Sequence, residues 1–173
     1  MQRILLTGAT GYIGSNIARS LLNEGYEIHI ITRPDSKIDM LIDINDKICI
    51  HIFNGKTQEL TEIFLGISPH LVIHLAAHYI SEHKAEDIGS MISSNIYFGT
   101  QVLEAVINSG VKYFINTGTY WQNYNGEAYN PVNLYAATKQ AFESILKYYL
   151  EISDIRYVTI KLIDTYGPFD PRP

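Results

Sequence analysis

Tyr135 and Lys139 stand four residues apart in LYAATKQAFESILKYYL, a stretch whose apolar positions recur at helical spacing. On a helix, that spacing places a phenol and an ammonium on one face, a turn apart. A free phenol titrates near 10 and exchanges protons poorly at neutral pH. A neighbouring cation favours the phenolate and lowers that value, so the pair is a candidate general acid–base. The chain has 13 tyrosines, however, and Y-x-x-x-K also arises among them by chance. The pair needs partners before it carries meaning.

A second chemistry-bearing stretch is QRILLTGATGYIGSNIARSLL, residues 2–22. Ile4, Leu5 and Leu6 make a short apolar strand, and Ile13, Ile17, Ala18, Leu21 and Leu22 recur as on a helix. Between them Gly8, Gly11 and Gly14 fall at three-residue intervals. Gly8 permits a tight turn, Gly11 lets backbone N–H groups approach a diphosphate, and Gly14 lets the helix lie close on the sheet. The helix N-terminus then faces phosphate oxygens with its positive dipole end. The spacing differs from G-x-G-x-x-G, and the same residues also fit a plain glycine-rich strand-to-helix turn.

The elements that must position these groups alternate along the chain. Further strands are expected at 27–32, 47–53, 70–76, 111–116 and 157–162, with helices at 57–65 (ended by Gly66 and Pro69), 91–108 and 134–150. Residues 33–46, 78–89 and 119–133 read as loops. Strands alternating with helices indicate an α/β fold, a doubly wound parallel sheet with helices on both faces. The fifth strand runs into Thr117-Gly118-Thr119 at its C-terminal end, the edge where open α/β sheets bind ligands.

Composition excludes several classes. The 173 residues are 46% hydrophobic and 18% charged, with a net charge of −5. That suits one globular domain and offers no basic surplus for nucleic acid. No apolar run reaches the length of a membrane span, and a first strand starting at residue 2 or 3 leaves no room for a signal peptide, so a cytoplasmic protein is expected. Cys49, the only cysteine, cannot form an internal disulfide and reads as buried filler within 48–52. His70, His74 and His78 share helical spacing but belong to a strand and its exit. There, four residues span roughly 13 Å, too far to share an ion. No metal site is expected.

The spacing TGATGYIG resembles the cofactor loop of the extended short-chain dehydrogenases/reductases, the NAD-dependent epimerase/dehydratase family. HLAAH (74–78), NIYFGTQVLEA from Asn95, Y-x-x-x-K at 135–139 and YGP (166–168) are similar to that family's segments and occur in its order. The resemblance implies a Rossmann-type domain over 1–173 and a catalytic set of Thr119, Tyr135 and Lys139, with Thr117 the backup for Thr119. Implied cofactor contacts are Gly8, Thr10, Gly11, Tyr12, Ile13 and Gly14 in the loop, Thr32 and Arg33 after the second strand, and Leu75, Ala76 and Ala77 after the fourth. Asn95, Thr117, Tyr135, Lys139 and Leu162 complete that set, Asn95 also holding the architecture of the site.

Thr32-Arg33 stands where NAD-using relatives typically carry an acidic residue. A guanidinium suits a 2′-phosphate, so NADP is expected, with NAD possible. Arg33 also reads as a plain solvated loop residue. Tyr120 and Trp121 replace the Asp-Glu pair of 4,6-dehydratases, which argues against dehydration. YNPVNLYAATKQAFE and KLIDTYGP look most like CDP-abequose and CDP-paratose synthases, which reduce a 4-keto nucleotide sugar. Asp164 and Asn54-Gly55 depart from the usual pattern. An epimerase using NAD and a noncatalytic NAD(P)-binding module are the alternatives. The family's substrate domain is expected to be absent, the chain reading as a truncated member. The resemblance implies a homodimer through helices 91–108 and 134–150; Ile145, Leu146, Tyr148, Tyr149 and Leu150 exceed one buried stripe, which fits a second buried face or an inner face that wraps wide.

Overall fold

The computed structural model describes residues 1–167 and 170. Six parallel strands form one sheet in the order β3-β2-β1-β4-β5-β6. The strands are β1 (Arg3–Thr7), β2 (Glu27–Thr32), β3 (Cys49–Ile52), β4 (Leu71–His74), β5 (Tyr113–Thr119) and β6 (Arg156–Leu162). The helices are α1 (Tyr12–Asn23), α2 (Thr57–Ile67), α3 (Ile88–Ile92), α4 (Phe98–Asn108) and α5 (Leu134–Glu151). This is the strand order of the Rossmann fold. β1 pairs with both β2 and β4, so the chain leaves it in opposite directions and a crevice opens above its C-terminal end.

Side-chain alternation sorts the core into two layers. Leu5, Ile31, Val72 and Phe114 face α2, α4 and α5, where Leu60, Phe64, Val102, Val106, Phe142 and Leu146 close the layer. Ile4, Leu6, Ile28, Ile30 and Ile73 face α1 and a 3₁₀ segment, Asp39–Lys47, which contributes Leu41 and Ile44. Arg19 of α1 holds that segment through a bidentate pair with Asp43 (2.7 and 2.6 Å).

Several boundaries differ from the sequence expectation. α2 runs through Gly66 and ends on Ser68 in the left-handed conformation (φ 49°), whose N–H bonds to Phe64 O. β3 is shorter than expected and lies at the sheet edge, so Cys49 is exposed rather than buried. The helix expected at 91–108 starts at Ile88 and is interrupted by a π turn at Ser93–Tyr97. β5 runs from Tyr113 to Thr119, so it starts later than the expected 111 and takes in Thr117, Gly118 and Thr119, of which Thr119 was expected in a loop. In α5, Leu146 and Tyr149 are buried and Ile145 and Leu150 pack on the core, leaving only Tyr148 of the five at the surface. The inner face of α5 therefore wraps wide. No described helix is long and apolar enough to cross a membrane.

Candidate active-site cleft

Above the C-terminal ends of β1, β4 and β5 lies a cleft of about 990 Å³. Its base is the β1–α1 turn. A Cβ on Gly8 would stand 2.6 Å from Ala76 N, so the β4 exit presses directly on that turn. A Cβ on Gly14 would overlap Gly8 O outright. Gly11 differs: the nearest protein atom would be Gly8 O at 3.5 Å, an ordinary contact. Protein packing therefore needs glycine at 8 and 14, whereas at 11 the missing Cβ keeps space open at the start of α1. Gly11 is also the N-cap of α1 and offers no side-chain cap. These features fit a dinucleotide's diphosphate.

Gly8, Thr10, Gly11, Tyr12, Ile13 and Gly14 line the cleft, with Thr32, Arg33, Leu75, Ala76, Ala77, Thr117, Thr119, Tyr135 and Leu162. Arg33 is largely exposed and pairs with Asp35 at 3.5 Å. Its backbone N–H bonds to Ser36 Oγ, and Asp35 and Ser36 are also on the wall. Asn54, Gly55 and Asp164 line it too. Pro168 of the expected YGP segment lies outside the described residues.

Two of the expected contacts, Asn95 and Lys139, sit behind the lining. Asn95 is 1% exposed and clamps the β4 exit by accepting from His78 N (2.6 Å) and donating to His78 O (3.0 Å). It also donates to Thr138 Oγ1 (3.0 Å), whose hydroxyl donates to Tyr135 O (2.7 Å). The π turn contains Asn95, an interruption of the kind that recurs at functional sites. Asn95 thus ties the β4 exit to the first turn of α5. Asn133 caps that helix by accepting from Ala136 N (2.9 Å).

Thr117 and Thr119 have different duties. The Thr117 hydroxyl donates to His74 O at 2.9 Å inside the sheet. Thr119 Oγ1 accepts weakly from Trp121 N (3.3 Å), and its backbone N–H is held by Gln122 Oε1 (2.7 Å). That geometry commits Thr117 to the backbone and leaves the Thr119 hydroxyl hydrogen for a ligand.

Electrostatics depart from expectation in one respect. Burial, and then the neighbouring Tyr79, hold the Tyr135 phenol above its ordinary pKa rather than below it. Desolvation of the phenolate outweighs any help from a cation. Lys139, 2% exposed, is lowered to about 8 by burial, against the opposing pull of Glu143 one turn on. His74 is lowered to about 3 by burial and then by Lys139. It is a neutral ring bonded to Thr7 Oγ1 (2.8 Å) and packed against Phe98, Phe114 and Phe142.

Sequence reasoning missed part of the wall. Tyr79 stands edge-on to Tyr135 (ring centroids 5.0 Å) and also meets Trp121 (6.1 Å). Aromatic residues in two loops that follow strand C-termini were a usable signal. Gln101 reaches the wall from α4 and donates to Gly55 O and Thr57 Oγ1. Nothing local to 101 announces that role.

Comparison with known proteins agrees with the fold. The chain is 31% identical over 171 residues to CDP-abequose synthase of Yersinia pseudotuberculosis, covering 98% of this chain and 58% of that one. It is also 31% identical over 151 residues to UDP-N-acetylglucosamine 4,6-dehydratase (inverting) of Campylobacter jejuni, covering 83% and 42%. The chain thus spans about half the length of these curated relatives. Among solved structures, UDP-glucose 4-epimerase of Thermus thermophilus in complex with NAD superposes with a TM-score of 0.85 at 27% identity, over 99% of this chain and 58% of that one. Residues 4–173 match the NAD dependent epimerase/dehydratase family, and with the cleft and its glycine turn in place we conclude that the chain belongs to that family.

Proposed function

We propose that this chain carries the cofactor half and the acid–base group of an NADP-dependent reductase acting on a 4-keto nucleotide-activated sugar. The observation that carries the reading is the placement of Thr119 and Tyr135 on the wall of the cleft whose base is the glycine turn. The β1–α1 turn would hold the diphosphate, Arg33 and Ser36 a 2′-phosphate, and the β4 exit the nicotinamide end. When bound, the cofactor supplies the hydride. Thr119 Oγ donates to the substrate carbonyl oxygen and orients it, and the Tyr135 hydroxyl delivers the proton to that oxygen as it becomes an alkoxide. Lys139 supplies positive charge behind the phenol and the nicotinamide ribose. Homodimer formation through the α3–α4 and α5 helices belongs to the same proposal. Exposed Ile88, Ile92 and Tyr148 support it.

Turnover of CDP- and dTDP-4-keto sugars with NADPH by a full-length parent carrying this domain tests the reading. General acid catalysis contributes about 10²–10⁴-fold, so Tyr135→Phe should lose at least about 10²-fold in kcat and retain NADPH binding. Parental turnover by Tyr135→Phe would remove the assignment, and binding without turnover in the parent would favour a cofactor-binding module. A second reading, an epimerase retaining NAD, has one observation in its favour: the Asp35 carboxylate on the wall beside Arg33 could accept from ribose hydroxyls.

A further inference from the structure

At the other end of the sheet, β2 and β3 bring a different donor set together. His29 lies opposite Cys49, and Ile31 opposite His51. Alternation then puts Glu27, His29, Cys49 and His51 on one sheet face. One ligand atom each from Glu27, His29 and Cys49 lies within 4.8 Å of the other two. His29 is held from both sides: Nε2 is 3.0 Å from Glu27 Oε1 and Nδ1 is 2.9 Å from His51 Nε2. His29 is only 7% exposed, whereas Cys49 is open to solvent and the Glu27 side chain is 42% exposed.

We propose that Glu27, His29 and Cys49 form a site for a zinc-class divalent cation, with His51 as the outer partner that orients His29. Thiolate, imidazole and carboxylate together are a zinc-type donor set, and three protein ligands leave a fourth position for solvent. His29 has one tautomer that sends Nε2–H to Glu27. The other sends Nδ1–H to His51 and frees the Nε2 lone pair. The second is the arrangement of a metal-binding imidazole whose other ring nitrogen is fixed by a hydrogen bond. Tetrahedral zinc with bonds of 2.0–2.3 Å sets its donors roughly 3.3–3.8 Å apart. The cluster therefore closes by rotation of its two solvent-exposed side chains, Glu27 and Cys49.

Glu27 and Cys49 open their strands, while the cleft lies beyond Thr32, five residues and roughly 16 Å further along β2. The ion would brace the edge strand against β2 and take no part in the cleft.

Cobalt(II) titration of the full chain tests this, because Cys49 is the only thiol. One cobalt per chain should bind and produce a thiolate-to-cobalt charge-transfer band. Cys49→Ser should abolish the band, and Glu27→Gln should weaken cobalt at least tenfold. Both side chains are exposed, so each variant should keep the metal-free unfolding midpoint of the parent. Zinc should raise that midpoint in the parent and not in Cys49→Ser. A missing band at stoichiometric cobalt, a band that survives Cys49→Ser, or one cobalt shared by two chains would each overturn the site.

Discussion

Gly11→Ala and Gly14→Ala differ by one methyl group in the same turn, and the structure assigns them opposite consequences. At Gly14 the new Cβ would overlap Gly8 O and stand 2.6 Å from Ala9 Cα, so backbone must move by about an ångström. Overpacking of that kind costs about 1–3 kcal/mol, and a rigid backbone neighbour puts this case at the upper end. Alanine's better helix propensity returns about 1 kcal/mol, leaving about 2 kcal/mol net. For a domain of this size that lowers Tm by roughly 4–8 °C. At Gly11 the backbone (φ −88°, ψ 173°) accepts alanine, and the Cβ meets only Gly8 O at 3.5 Å. The cost is the poorer N-cap, about 0.5–1 kcal/mol. That Cβ would instead intrude where a diphosphate approaches the helix N-terminus, so NADPH affinity should fall at least about tenfold. Thermal unfolding paired with fluorescence titration of NADPH separates the two effects. Parental affinity in Gly11→Ala, or a parental midpoint in Gly14→Ala, would refute the division of labour.

Arg33→Ala should erase most of a preference for NADPH over NADH. The contact is charge-assisted but Arg33 is exposed and already paired with Asp35, so about tenfold is expected from calorimetry. Equal affinities in the parent would point instead to the Asp35 reading. Asn95→Ala removes three hydrogen bonds and leaves the His78 backbone and Thr138 short of partners. It should cost about 2–3 kcal/mol in denaturant unfolding and loosen the start of α5, visible as faster amide exchange there. His74 is neutral in the fold, with its pKa lowered to about 3, and charges near 6.5 once unfolded. Between those values the unfolded chain binds the extra proton, so stability should fall as pH drops below about 6.5, by up to about 1.4 kcal/mol per unit. His74→Gln should flatten that acid limb, and an unchanged slope would show that other groups set it.

The parts legible in the sequence were those whose signal is local. β2 runs from Glu27 to Thr32 as its alternation with α1 implied, and α5 begins at Leu134 behind its Asn133 cap. The glycine turn was readable because its spacing encodes close approach. Thr117 to Thr119 escaped assignment to β5 because small polar residues carry no apolar period, although they pair with Ile160 to Leu162 in register. The π turn was invisible because SSNIY continues a helical pattern. Cys49 was misplaced because an apolar run cannot say whether its strand is central or at an edge; that depends on strand order, which is nonlocal. The cluster around His29 had the same cause. Its residues are adjacent only through the β2–β3 register.

The perturbations of Tyr135 and Lys139 bear on the protonation state in which the cleft holds its candidate acid. A phenol held above its ordinary pKa is a reluctant base and stays protonated throughout the neutral range. A group in that state is prepared to give a proton to a carbonyl oxygen that is gaining charge, which is what reduction requires. Lys139, lowered to about 8 by burial against the opposing pull of Glu143, still carries its charge at neutral pH, and His74 feels it. The two shifts share one cause, the burial of the first turns of α5 against the β4 exit. That burial is maintained by the Asn95–Thr138–Tyr135 chain of hydrogen bonds. The architecture that positions the phenol also keeps it protonated, the state in which it can give a proton to a carbonyl oxygen that is gaining charge.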